Sequence, residues 1–398
     1  MFSVKTIENN DKLGYYTVGQ EKIHHKPIAL MKATETGQFP EWHFNRPQLD
    51  AHTWNVEPSA SLQELYRIRA QQIRDKYDYI RLEFSGGADS TVVLYSFLNN
   101  GIFVDEIVTR WPKEAAEKIV KPDPFNLKPE NSLSEYEYAA KPILEWVAKV
   151  SPATKITMHD YSEDMLGGEH DESWIYAVKD WLLPSYQFKT SIHAMDEHKR
   201  TLDRGKSVCI LWGVDKPKLC VKDGKWYVYF MDIQANNCSS DIGAYTNATN
   251  EYFFWSPDLP EIVCKQAHTI KNWFENPSNR AYQHLVRWPN YSLSHRVTYE
   301  ALIKPLVFPE YDPNTFQCAK PTNSFYNEMD AWFYTNFKEN NFYKAWQAGL
   351  RYLETKIDRK YFHYEWERAT GFISFISPMY CLGDSTFIDT GSNKHLKF

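Results

Sequence analysis

The chain has 398 residues, and 45 Lys and Arg against 51 Asp and Glu leave a formal net charge of −6. That balance argues against nucleic-acid binding driven by overall charge, leaving only a local basic patch open. With 43% hydrophobic and 24% charged residues the chain is neither disordered nor collagen-like, and its length suits two or three domains or one large α/β domain with attachments. The six cysteines, Cys209, Cys220, Cys238, Cys264, Cys318 and Cys381, form no CxxC pair and read as reduced thiols. The N-terminus lacks an apolar signal core. Apolar runs fall far short of the roughly 20 residues of a membrane helix. A soluble, cytoplasmic protein is expected. The 14 Trp, 26 Tyr and 23 Phe promise aromatic cores but identify no ligand.

In chain order, residues 1–60 read as an N-terminal extension of short extended pieces, 14–18 and 27–31, punctuated by Pro40, Pro47 and Pro58. Ser61-Leu62-Gln63-Glu64 is a capping box that opens a helix to about Lys76, with Arg67, Arg69 and Arg74 along it. An alternation then begins: a strand over 79–84, a glycine turn over 85–90, a helix over 91–100 with Gly101 placed to cap it, and a strand over 103–109. A helix over 134–150 broken near Pro142, a strand over 155–159, helices over 172–183 and 191–204, and a strand over 207–212 follow. Strands separated by helices predict a parallel sheet with helices on both faces. Asp223-Gly224 between 218–222 and 225–230 predicts a hairpin. Helices are predicted over 258–274, 324–337 and 341–357, so 236–398 reads as a mostly helical C-terminal region, and 61–235 as the α/β domain between it and the extension.

One motif carries chemistry. Ser85-Gly86-Gly87-Ala88-Asp89-Ser90 lies between a predicted strand and a predicted helix. Its glycines let backbone N–H groups approach an anion, and the helix directs its unpaired amides and positive dipole end to the same point. Ser85 and Ser90 add hydroxyls, and Asp89 suits a magnesium ion held against phosphate oxygens. It is neither a Walker A loop nor a GxGxxG turn.

This SGGxDS pattern resembles the PP-loop superfamily, the N-type ATP pyrophosphatases, which include the synthetase domain of asparagine synthetase, GMP synthetase, NAD synthetase and several tRNA-modifying enzymes. The resemblance spans roughly 61–235. It implies an adenine nucleotide alpha-hydrolase-like fold and ATP cleavage between the α and β phosphates. A substrate oxygen would be adenylated and AMP then displaced by a nucleophile. Ser85, Gly86, Gly87, Asp89 and Ser90 would bind pyrophosphate, with ATP and Mg2+ as the implied cofactors.

The second constellation is Trp212-Gly213-Val214-Asp215-Lys216-Pro217, after the predicted strand 207–212. In an open parallel sheet this loop should face the phosphate turn. Asp215 would share magnesium with Asp89, and Lys216 would neutralise the leaving pyrophosphate. A polar turn before the hairpin is the competing reading. Thr109 and Arg110 end the second strand on the same edge, where the resemblance puts adenosine, and Arg110 reads equally as a phosphate or carboxylate ligand or as a surface residue. The acidic run from Asp160 to Glu172 reads as a solvated loop rather than a metal site, and His193 and His198 are spaced wrongly to share a helix face. With Phe2 and no cysteine before Cys209, the chain lacks the N-terminal cysteine glutaminase of asparagine synthetase. Nitrogen would come from solution, the substrate or an amine-supplying partner.

The expected function is an ATP-dependent, AMP-forming ligase that joins a small carboxylate or carbonyl compound to a nitrogen nucleophile. The alternatives are a sulfur-handling relative (a sulfurtransferase or adenylyl-sulfate reductase) and a non-catalytic ATP-binding protein.

Overall fold

The computed structural model describes residues 11–110, 136–160, 205–233, 247–289, 293–312, 339, 341–365 and 368–387. The N-terminal region forms an antiparallel sheet of β1 (Tyr15–Val18), β2 (Glu21–Ile23) and β3 (Glu41–His43), in the order β2-β1-β3. Between its strands α1 (Lys26–Thr36) replaces the extended segment expected at 27–31. Pro27 sits in the first turn, where a missing N–H costs nothing. Ala29, Leu30 and Ala33 bury one face, and Gly37, at φ 72°, caps the last turn. A short helix, α2 (Arg46–Ala51), follows.

The capping box behaves as its residues dictate. Ser61 Oγ accepts from the Glu64 N–H at 3.2 Å and opens α3 (Leu62–Lys76). Arg69, one of the three arginines along this helix, is buried and donates to Glu251 Oε2 at 3.0 Å, while Lys76 Nζ and Tyr77 OH each donate to Oε1 at 2.6 Å. Burial pushes the Glu251 carboxyl upward, but Arg69, Lys76 and Tyr77 outweigh it and hold the group at about 2.

The alternating elements are β4 (Tyr79–Glu83), α4 (Ala88–Leu98), β5 (Glu106–Arg110), α5 (Lys141–Val150), β6 (Lys155–His159) and β7 (Val208–Trp212). Helix α4 starts three residues earlier than predicted because Gly87 is its N-cap, with the Thr91 N–H on its carbonyl at 3.0 Å. Gly101 takes φ 68° past its end, and the Ile102 N–H returns to Phe97 O at 3.0 Å. A π-helical turn, Tyr136–Ala140, precedes α5, so the expected break falls just before Pro142.

Strands β8 (Lys218–Lys222) and β9 (Lys225–Tyr229) make the predicted hairpin, with Asp223 at φ 50° and Gly224 at φ 73°. Next comes β10 (Ala248–Tyr252), which joins the parallel sheet beside β7. The sheet order is β10-β7-β4-β5-β6. The expected boundary at 235 therefore cuts across the sheet, and the region beyond it is not merely helical. In sequence terms the order is 3-2-1-4-5, whose switch point lies between β4 and β7.

Ile80, Leu82, Ile107, Cys209 and Leu211 share one core with α3, α4 and α5, and Tyr95 of α4 meets Trp146 of α5 edge to face at 5.2 Å. The opposite face carries Val208, Ile210 and Ala248, beside buried Arg81, Glu83 and Glu106. The predicted helices at 172–183, 191–204 and 324–337, the acidic run beyond Asp160, and His193 and His198 lie outside the described residues.

The C-terminal part contributes α6 (Glu261–Glu275), α7 (Leu293–Val307), α8 (Asn341–Lys356), the hairpin β11 (Phe362–Glu365) and β12 (Arg368–Phe372), and β13 (Tyr380–Asp384) paired with β9. Helix α6 begins three residues later than predicted, because Pro260 serves as its N-cap. Among the described residues no helix is long and apolar enough to cross a membrane.

Candidate functional site

β4 pairs in parallel with β7, so the segments leaving their carboxyl ends, 84–87 and 213–217, lie side by side at the switch point. Ser85 Oγ accepts from the Gly87 N–H at 3.3 Å; Ser90 Oγ accepts from the Ser85 N–H at 3.4 Å and donates to Gly87 O at 3.2 Å. The two serines thus brace the turn, and Ala88, Asp89 and Ser90 form the first turn of α4 rather than a loop. Amides in that turn have no carbonyl one turn back, which makes the helix start an anion-binding end.

Two glycines set how closely neighbours approach. At Gly86, with φ +72°, an added Cβ would lie 2.6 Å from the Ala140 amide nitrogen; at Gly213 it would lie 3.0 Å from Asp89 C and Ser90 N. Gly86→Ala combines a left-handed backbone with a backbone clash. It should destabilise the fold by about 1–3 kcal/mol, read as a lower denaturant midpoint. An unchanged midpoint would contradict this packing of the π-helical turn on Gly86.

The Gly213 approach brings the second loop onto the helix start. Lys216 is 3% exposed. Its Nζ donates to Asp89 Oδ1 at 2.6 Å and Oδ2 at 2.8 Å, and to Asp215 Oδ1 at 3.0 Å. The Lys216 N–H also donates to Asp215 Oδ1, at 2.6 Å. Lys218 Nζ lies 3.1 Å from Asp215 Oδ2 and 3.0 Å from Glu300 Oε1 of α7. Five charges of alternating sign therefore run from Asp89, at the start of α4, to α7. Burial opposes the charged form of Lys216, but Asp215 and Asp89 outweigh it and hold the ammonium above its ordinary range. Burial likewise raises the Asp215 carboxyl, and Lys216 and Lys218 reverse this, holding it well below the usual carboxylate range.

The loop backbone is pinned on both sides of Lys216. Val214 O accepts from the Phe254 and Trp255 N–H groups at 3.2 and 3.1 Å. Pro217 O accepts from Tyr299 OH at 2.9 Å. Phe308 closes one side, its ring centroid 5.9 Å from Lys216 Nζ.

Thr109 is buried at the carboxyl end of β5, and its Oγ1 has no hydrogen-bond partner among the described residues. It follows Val108, the register partner of Glu83, so it stands next to the start of the turn 85–90. Arg110 ends the same strand opposite His159.

The structure thus brings together Ser85, Gly86, Gly87, Asp89, Ser90, Asp215 and Lys216. The expectation that Asp89 and Asp215 share magnesium meets a different arrangement: the two carboxylates converge on the Lys216 ammonium. Lys218 and Glu300 were not singled out from the sequence. The alternation of Lys216 and Lys218 about Pro217 is the one local signal that two lysines face the same way, whereas Glu300 is 82 positions away in the chain. No protein-family model, curated protein or solved structure matches this chain.

Proposed function

We propose that the protein is an ATP-dependent, AMP- and pyrophosphate-forming enzyme with an adenine nucleotide alpha-hydrolase-like domain. It would adenylate a small carboxylate or carbonyl substrate and couple it to a nitrogen nucleophile. The observation that carries this reading is the buried Lys216 ammonium facing the N-terminus of α4 across the β4–β7 switch point, with SGGADS in the turn. Helix amides with a cation beside them suit a phosphate chain. Charge gathers on pyrophosphate as the α–β bond breaks, and a lysine that reaches it would stabilise that charge more than it stabilises the ground state. The Thr109 hydroxyl on the adjacent strand end, without a partner among the described residues, offers a donor or acceptor to the rest of the nucleotide.

The sulfur-handling alternative gains no support from the three buried cysteines among the described residues, Cys209, Cys220 and Cys264. Burial pushes the Cys220 and Cys264 thiols up to about 12 and the Cys209 thiol well above its ordinary range, which suppresses thiolate.

Incubation with ATP, ammonium and a panel of small carboxylic acids, followed by anion-exchange chromatography, tests the reading. AMP and pyrophosphate are expected in equal amounts with the right acid. ADP and phosphate would contradict it.

A further inference from the structure

A magnesium site built from Asp89 and Asp215 does not fit the donor arrangement. Both oxygens of Asp89 accept from Lys216 Nζ. Asp215 Oδ1 accepts from the Lys216 ammonium and backbone N–H, and Oδ2 faces Lys218. Every carboxylate oxygen of the pair thus already has a cationic partner. Among the described residues no group of three or more His, Cys, Asp or Glu side chains could hold a metal ion.

We propose that the Lys216 ammonium is the resident cation of this site, standing where a free divalent ion would bind, so that such an ion enters only together with a phosphate chain. The proposal rests on the nucleotide reading above and adds a binding order to it.

Three observations carry it. The first is position: one nitrogen lies within 3.0 Å of both carboxylates, and a magnesium ion held by both at its usual distance of about 2.0–2.1 Å would need the same space. The second is charge. Asp89, Asp215 and Glu300 against Lys216 and Lys218 leave a single negative charge in excess. A divalent ion alone would reverse that balance beside a helix N-terminus, whereas an ion carried by phosphates would not. The third is what can move. The backbone is pinned at Val214 and Pro217, so the Lys216 side chain rather than the loop is the part that would exchange Asp89 for phosphate oxygens. A flexible four-carbon stem ending in a compact ammonium suits that exchange.

Manganese binding followed by electron paramagnetic resonance tests this on the full-length protein. Wild type should bind free Mn2+ weakly, and inorganic pyrophosphate should raise protein-bound Mn2+ affinity by at least about tenfold. Lys216→Met should bind free Mn2+ at least about tenfold more tightly than wild type, because Asp89 then loses its ammonium and Asp215 keeps only Lys218. Mn2+ should also raise the melting temperature of Lys216→Met and leave that of wild type unchanged. Where Lys216→Met fails to fold, the wild-type titrations still decide. Free Mn2+ bound by wild type as tightly as with pyrophosphate, and lost in Asp215→Asn, would overturn the proposal. The nucleotide reading fails separately: a gain of Mn2+ binding in Lys216→Met, with no pyrophosphate bound by wild type, would support Lys216 as the blocking cation and sink that reading.

Discussion

Lys216→Ala is expected to cost the folded state about 3–5 kcal/mol, because it strands Asp215 and Asp89 beside each other without their ammonium. Turnover should fall by roughly 10²–10³ in the fraction that folds, if the charge lost is the one that stabilises leaving pyrophosphate as proposed. Lys216→Arg should recover little of either, as a planar fork does not replace a compact ammonium in a closed site.

The pH dependence gives a signature for this pair. The Asp215 carboxyl is depressed in the folded state, so its contribution is present above the unfolded value of about 3.9 and is lost as pH falls through the folded one. The Lys216 ammonium is raised, so its contribution is full below about 10.4 and is lost as pH rises through the folded value. Wild type should therefore keep this contribution across the neutral range. In Lys216→Ala the Asp215 carboxylate takes up a proton more readily, so the stability gap should narrow as pH falls toward about 4. Denaturant titrations of both proteins from neutral to acid pH measure the gap; one that stays constant or widens would contradict the pairing.

The second large effect lies away from the site. Lys26 Nζ of α1 is 2.7 Å from Asp232 Oδ2, and both side chains are buried. Tyr16 OH donates to the same oxygen at 2.7 Å, and the Phe375 N–H donates to Oδ1 at 2.9 Å. One carboxylate thus ties the N-terminal sheet and α1 to the end of the β8–β9 arm and to the C-terminal segment. Lys26→Met should destabilise the chain by about 3–5 kcal/mol, and Lys26→Met with Asp232→Asn should recover part of that loss, because no uncompensated charge then remains buried. Equal midpoints for Lys26→Met and wild type would place the ion pair outside the stabilising core.

Legibility in the sequence followed the physics of each segment. The run 79–90 was readable because a strand, two glycines and a helix follow one another without interruption. The start of α4 was not, since it depends on Gly87 taking an extended N-cap conformation. The short apolar run at 27–31 fits a strand or a helix equally by periodicity, and only burial of Ala29, Leu30 and Ala33 decides it. β10, with sequence ATNEY, has no hydrophobic signature at all. Its polar groups are matched by distant partners, Asn250 by the Trp212 indole and Glu251 by Arg69. The Lys216 loop was recognised from its place after a strand, but the meeting of Lys216 with Asp89, 127 positions away, is a product of the sheet order.

Hydrogen exchange with peptide-level mass spectrometry, with and without the non-cleavable analogue α,β-methylene-ATP and magnesium, tests the central claim most directly. The analogue should slow exchange in peptides covering 84–90 and 212–218, the two segments joined by Lys216. Saturable binding that protects neither segment would contradict a nucleotide site at the β4–β7 switch point.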